Sequence, residues 1–276
     1  GVTLQQVLTD ILGLSNLVLN NSTHMFRRCG NLKTVNIDDY VLRAPVGGGS
    51  LFYLSQNIEY MSAKNLTIKN NGFGCETPSY KENYGNKVLT EIIGMDTWKI
   101  ETNDLSHLFA GYHKLESVDI SNWNLENVTN MSDIFGYCRS LTYMNMNGMN
   151  LGKAENFSSM FQGCTSLTYI NFEGSNLSSV TNIERCFYQN NIVKTISFKN
   201  TNLNNVTSWD YCFSQTPSLE NLNFDGCTLI ANPQLGNCAK LTVTSLLSVI
   251  NALKDNRGST TLTCTIGTTN LAKLTS

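Results

Sequence analysis

Phe109, Phe135, Phe161, Phe187 and Phe213 each follow the last by 26 residues, and Phe26 and Phe52 keep the same separation. Few architectures allow so strict a period. It belongs to solenoids, in which one repeat cannot bury its apolar face alone and does so only by stacking on its neighbours. Leu235 takes the place of the Phe in a shortened final copy.

Fixed apolar columns accompany the Phe. Six residues on stand Leu115, Leu141, Leu167, Val193 and Leu219, then Val118, Met144, Ile170, Ile196 and Leu222, and two residues later Ile120, Met146, Phe172, Phe198 and Phe224. The last two columns have strand spacing, so each coil is expected to contribute one short strand to a parallel sheet. The fold class expected is an α/β-type repeat solenoid, a right-handed coil of leucine-rich-repeat type with a helix-containing C-terminal cap. Four residues after the strand come Asn124, Asn150, Asn176 and Asn202, each followed by Leu. They are expected to form a buried asparagine ladder, each amide satisfying turn backbone and its counterpart one coil away. Asn130, Asn156 and Asn182 form a second such column.

One domain is expected over residues 1–276. Residues 1–21 read as an N-terminal cap or partial repeat, with Asn16-Leu17 echoing the turn motif, 22–241 as repeats, and 242–276 as a capping coil. In that coil Leu246, Ile250 and Leu253 lie along one helical stripe after a Thr/Ser start, and Gly258 is the stop. Leu262, Cys264 and Ile266 then alternate, and Asn270-Leu271 repeats the ladder spacing. The period is interrupted at 69–87, where Gly, Asn and Pro mark a loop that lengthens one coil by about five residues. Its Phe73, Tyr80 and Tyr84 suit either a recognition loop or aromatics folded back on the rod.

Nine cysteines are an odd number in a chain of 276 residues. Cys29, Cys138, Cys164 and Cys238 follow the Phe, or its equivalent, by three, and Cys186 and Cys212 precede it where other coils place Met or Ile. Most therefore read as buried core thiols, with adjacent-coil bridges such as Cys138 to Cys164 the alternative. No paired CxxC motif points to zinc.

The formal charge of −2, with 14% charged residues, leaves no electrostatic footprint for nucleic acid or an anionic membrane. No apolar run is long enough to span a bilayer, and the opening GVTLQQVLTDILGL lacks a signal peptide's basic flank. A start at Gly reads as a processed or recombinant fragment, from which an export signal or anchor can have been removed. The three histidines do not converge: His24 and His107 share a column several coils apart, and His113 sits in a turn; all three are read as solvated. Asp38 and Asp39 are expected to face solvent, and APVGGGSLFYL lacks the Lys-Ser/Thr of a phosphate loop. No enzyme, metal or cofactor is expected.

A surface remains. Outward strand positions carry Glu116 and Asp119, then Tyr143 and Asn145, then Tyr169 and Asn171. Tyr143 and Tyr169 should be adjacent. Stacked tyrosines bordered by amides suit protein or glycan recognition, or serve only as cross-strand packing.

With its MF-x-x-C-x-x-L, L-x-x-I-x-F strand and N-L turn, the stretch from about 104 to 241 resembles the BspA-like leucine-rich repeat family of bacterial surface proteins. The C-terminal LTVTSLLSVINALKDNRGSTTLTCTIGTTNLAKLTS is similar to tails of repeat proteins of gut bacteria and their phages. The resemblance implies a cell-surface or extracellular module for adhesion and protein binding. A host or bacterial surface protein or glycan is the expected partner, and the fragment is expected to be monomeric. A phage tail or fibre receptor-binding component and a passive structural spacer are the rival readings.

Overall fold

The computed structural model describes residues 7–15, 17, 25–43, 51–52, 54–69, 85–253 and 265–275. Phe73, Tyr80 and Tyr84, His24, Asn16 and the Leu262 and Cys264 positions lie outside them. The chain divides into two compact units, Gly1–Leu141 and Thr142–Ser276. Each is a parallel-strand β-solenoid, as the period requires.

In the second unit β7 (Tyr143–Asn145), β8 (Tyr169–Asn171), β9 (Thr195–Ser197) and β10 (Asn221–Asn223) form one sheet in the order β10-β9-β8-β7. Its register is that of the repeat: Met144 pairs Ile170, Ile170 pairs Ile196, and Leu222 pairs Ile196. These residues point inward and are buried, together with the columns Leu167, Val193 and Leu219 and Phe172, Phe198 and Phe224. The strand-end phenylalanines stack coil on coil, 5.1 Å between Phe172 and Phe198 and 5.2 Å between Phe198 and Phe224. Stacking of like on like follows directly from an in-register parallel sheet.

The first unit holds two three-stranded parallel sheets. One comprises β1 (Asp10–Leu12), β2 (Thr34–Asn36) and β4 (Tyr60–Ser62), the other β3 (Val41–Leu42), β5 (Thr67–Ile68) and β6 (Lys99–Ile100). β2 and β4 pair 26 residues apart, Thr34 with Tyr60, whereas Ser62 bridges Ile93. The coil after β4 is thus lengthened by five residues, the shift read from the sequence at 69–87. A 3-10 turn over Met95–Thr97 then leads to Trp98, which stacks on Trp123 at 5.4 Å. Both indoles are buried and donate their N–H to backbone, Trp98 to Ala63 O and Trp123 to Met95 O.

The coils turn through left-handed corners that recur with the repeat. One column lies two residues before the Phe (His107, Asp133, Ser159, Arg185, Tyr211), and another two after it (Gly111, Tyr137, Gly163, Gln189, Gln215). A third follows the strand, at Gly148, Gly174, Asn200 and Gly226. Each non-glycine corner costs of order 1 kcal/mol in backbone energy, so neighbouring coils must over-determine it.

Asn124, Asn150, Asn176 and Asn202 are exposed, which corrects the expectation of a buried ladder. Each side-chain oxygen accepts from the backbone N–H two residues on, at Glu126, Gly152, Ser178 and Asn204. They set corners by bonding their own chain, the short-range preference of Asn. The buried cross-coil bonds lie elsewhere. Ser55 Oγ donates to Phe26 O at 2.6 Å, Cys138 Sγ to Phe109 O at 3.2 Å and Asn190 Nδ2 to Phe161 O at 3.0 Å. Ser175 Oγ and Cys227 Sγ serve Met146 O and Phe198 O in the same way. Every one of these pairs is 29 residues apart, one coil plus a three-residue turn.

The C-terminal helix α1 (Val243–Ala252) begins at Thr242, whose side chain accepts from Ser245 N. Its buried stripe is Ser245, Leu246, Ser248, Val249 and Ala252, while Ile250 is exposed and Leu253 is the C-cap. The expected Leu246, Ile250, Leu253 stripe is therefore rotated, because the serines face the open edge of β10. Ser245 Oγ accepts from Leu222 N and donates to Glu220 O; Ser248 Oγ accepts from Phe224 N and donates to Asp225 Oδ1. A polar helix face so occupies backbone groups that would otherwise template another strand. Asn270 is not a turn residue, as its Asn-Leu spacing suggests, but lies buried in α2 (Gly267–Thr275), where its Nδ2 donates to Cys238 O and Ile266 O.

Asn190→Ala should destabilise the chain by about 1–3 kcal/mol in urea unfolding, since Phe161 O loses its buried donor. Asn190→Cys should recover most of that loss. Asn176→Ala, at an exposed corner, should stay within about 0.5 kcal/mol of the parent. Gly148→Ala, whose added Cβ meets nothing within 4 Å but sits at φ +69°, should cost about 1 kcal/mol through backbone strain alone.

Candidate functional site: the strand face of the second unit

The outward positions of β7 to β10 and the residues leading into them make an open face. Thr142 and Tyr143, Thr168 and Tyr169, Lys194 and Thr195, and Glu220 and Asn221 succeed one another coil by coil. Tyr143 and Tyr169 are paired in register with ring centroids 5.3 Å apart and planes 7° from parallel. Tyr143 is 51% exposed and Tyr169 half-buried. Neither hydroxyl is hydrogen-bonded within the described residues.

The bordering amides divide their roles. Asn145 is exposed, and its Oδ1 accepts from Asn147 N at 3.1 Å and from Asn171 Nδ2 at 3.4 Å. Asn171 is buried, and its Oδ1 accepts from Glu173 N at 2.9 Å. Asn171 therefore belongs to the strand corner and not to the open surface. Lys194 is exposed and forms no ion pair among the described residues, whereas Glu173 and Lys199, one corner further along, neutralise each other at 3.2 Å. Lys194 follows Thr142 and Thr168 in one outward column, and Glu220 follows it one coil on.

Glu116 and Asp119 fall in the first unit and are exposed. Ser121 holds the Asp119 carboxyl below the usual carboxylate range, through its hydroxyl first and its backbone N–H second. The structure makes Asp119 a corner residue, the counterpart of Asn145 and Asn171.

Other chemistry-bearing groups serve the stack. Among the described residues Cys29, Cys138, Cys164, Cys186, Cys212, Cys227 and Cys238 are buried. The thiol at +3 from the Phe shares its column with Ser55, Asn190 and Thr216, so it is a hydrogen-bonding site as well as an apolar one. Burial raises Cys186 and Cys212 well above the ordinary thiol range and pushes Cys238 up to about 11. His107 is half-buried with Nδ1 3.2 Å from Oδ2 of the buried Asp133, and His113 is half-buried, which corrects the expectation that both are solvated. Asp38 Oδ1 accepts from Ser62 Oγ and Lys64 N, and Asp39 Oδ1 from Asn65 Nδ2, so this carboxylate pair ties coils together.

Residues 83–197, fewer than half of the chain, match the family described as "Mycoplasma protein of unknown function, DUF285", a repeat family related to BspA-like surface repeats. No curated protein matches the chain. No helix among the described residues is long and apolar enough to cross a membrane.

Thiol titration checks the burial. Cys238 has a folded value near 11 against an ordinary 9.0. A raised value means that the stability contributed by the protonated thiol is complete below pH 9 and lost as pH rises through about 11. Urea midpoints should therefore fall across that window, and iodoacetamide at neutral pH should leave Cys186, Cys212 and Cys238 unlabelled until the chain unfolds.

Proposed function

We propose that this chain is a non-catalytic recognition module that uses the strand face of its second unit to bind a surface protein or glycan. The observation that carries the reading is the exposed Tyr143–Tyr169 stack with its two unpaired hydroxyls. Tyrosine offers apolar area with a hydrogen-bonding tip, the combination enriched at contact surfaces. The strand-face positions hold no histidine or cysteine, and only Lys194 and Glu220 carry charge, so nothing there resembles a convergent acid-base site.

The family match favours a non-enzymatic surface module; a host or bacterial surface molecule as partner, and a monomeric fragment, complete the proposal. Resemblance to BspA-like adhesins makes the same case from the MF-x-x-C-x-x-L units. A phage tail or fibre component would use the same face for receptor attachment. A passive spacer would leave the face without a partner.

The test is a binding screen of the purified chain against extracellular-matrix proteins, mucins and bacterial surface glycans, beside a Tyr143→Ala/Tyr169→Ala variant with an unchanged melting profile. Binding lost by the folded variant is the expected result. Binding that the variant retains would remove the strand face from the account, and silence across the panel would favour the spacer.

A further inference from the structure

We infer that the tyrosine pair receives a carboxylate-bearing peptide segment; this rests on the reading of the strand face as the contact surface. The geometry of the stack carries the first step. Rings 5.3 Å apart and 7° from parallel cover each other's facing surfaces. A pyranose ring packs flat on an open aromatic face, and those two inner faces are closed to it. Between its two outer faces, the pair presents ring edge and phenol hydroxyl. The edge is the positive side of the aromatic quadrupole, and the hydroxyl is a donor. Both suit a negatively charged or carbonyl acceptor.

Charge on the neighbouring coil points the same way. Lys194 N donates to Thr168 O, which places this residue one coil from the strand of Tyr169. Its ammonium is exposed and forms no ion pair among the described residues. Of the nearest formal charges along the sheet, Glu173 and Lys199 pair with each other at 3.2 Å, and the half-buried Glu220 takes the next place after Lys194 in its column, beyond β9. From β7 to β9 the face therefore offers donors: two phenols, the threonine hydroxyls of Thr142 and Thr195, and one ammonium. An acidic polypeptide supplies carboxylates and backbone carbonyls to meet them, without needing a free ring face.

Fluorescence anisotropy of a dye-labelled oligo-glutamate peptide tests the assignment, with its oligo-glutamine counterpart and a uronic-acid oligosaccharide as competing probes. The glutamate peptide should bind at least about tenfold more tightly than the glutamine peptide and weaken as salt rises. Tyr143→Phe/Tyr169→Phe keeps the stack and removes the donors; it should lower affinity about threefold to tenfold per hydroxyl. Lys194→Met should lower it further and flatten the salt dependence. Equal affinity for both peptides, tighter binding of the oligosaccharide, insensitivity to both variants, or no peptide binding would each overturn the inference. If the wider screen shows binding that the Tyr→Ala variant loses while oligo-glutamate does not bind, only the acidic partner falls; if neither experiment finds binding through this face, both readings fall.

Discussion

Everything in this molecule depends on one recurring bond, in which a small side chain of one coil reaches the carbonyl of the coil before it. A corner that turns through the left-handed region leaves a buried carbonyl behind it, and an unpartnered buried carbonyl costs about 1–3 kcal/mol. Ser55, Cys138 and Asn190 each supply the missing donor to a Phe one coil back, and Ser175 and Cys227 do so at the other buried turn. Because the donor comes from the next coil, no coil is complete alone. The strict period is the sequence-level consequence: a shift of one residue would separate every donor from its carbonyl.

The same logic explains what happens where the repeat stops. β10 has no following strand, so Ser245 and Ser248 of α1 take up the backbone groups that a strand would have bonded. Lys273 of α2 donates to Ala239 O and Leu241 O, and Asn270 to Cys238 O. At the lengthened coil of the first unit, where the regular donor is displaced, the indole N–H groups of Trp98 and Trp123 supply the bonds instead. Helix and tryptophan are thus two answers to one requirement, and they free the exposed strand positions from any part in holding the stack. Tyr143, Tyr169 and Lys194 can vary without loss of a buried bond, which is why their chemistry bears on recognition.

Much of this was legible in the residues. Columns of Phe, Leu and Ile at a constant interval imply a parallel stack, and residues 26 apart had to meet, as Tyr143 and Tyr169 do. The helix start at Thr242 and the five-residue lengthening were readable for the same reason, as local chemistry and counting. The asparagines misled because an Asn column at a turn serves equally as a ladder or as a row of self-bonded corners, and only burial distinguishes them. Ile250 and Asn270 misled because the helical cap answers to the edge of β10 rather than to the repeat pattern. The donor column was visible in principle: Cys138 and Cys164 exchange with Ser55, Asn190 and Thr216, a set united by hydrogen bonding and small size more than by apolarity. Of the candidate site, the period revealed the tyrosine pairing, but the burial of Asn171 and the exposure of Lys194 depend on side-chain packing that spacing does not encode.

A comparison of two internal deletions tests the dependence on register most directly. Removing Thr168–Val193 takes out one whole coil and joins Leu167 to Lys194, so every remaining donor keeps its carbonyl. Removing one residue fewer, Thr168–Ile192, shifts all that follows by one position and turns each inward side chain of the following strands outward. Thermal unfolding followed by circular dichroism should show a cooperative transition for the first protein, at a lower temperature than the parent, and none for the second. Cooperative unfolding of both at similar temperatures would contradict the account, because the stack would then tolerate the loss of the register on which every cross-coil bond depends.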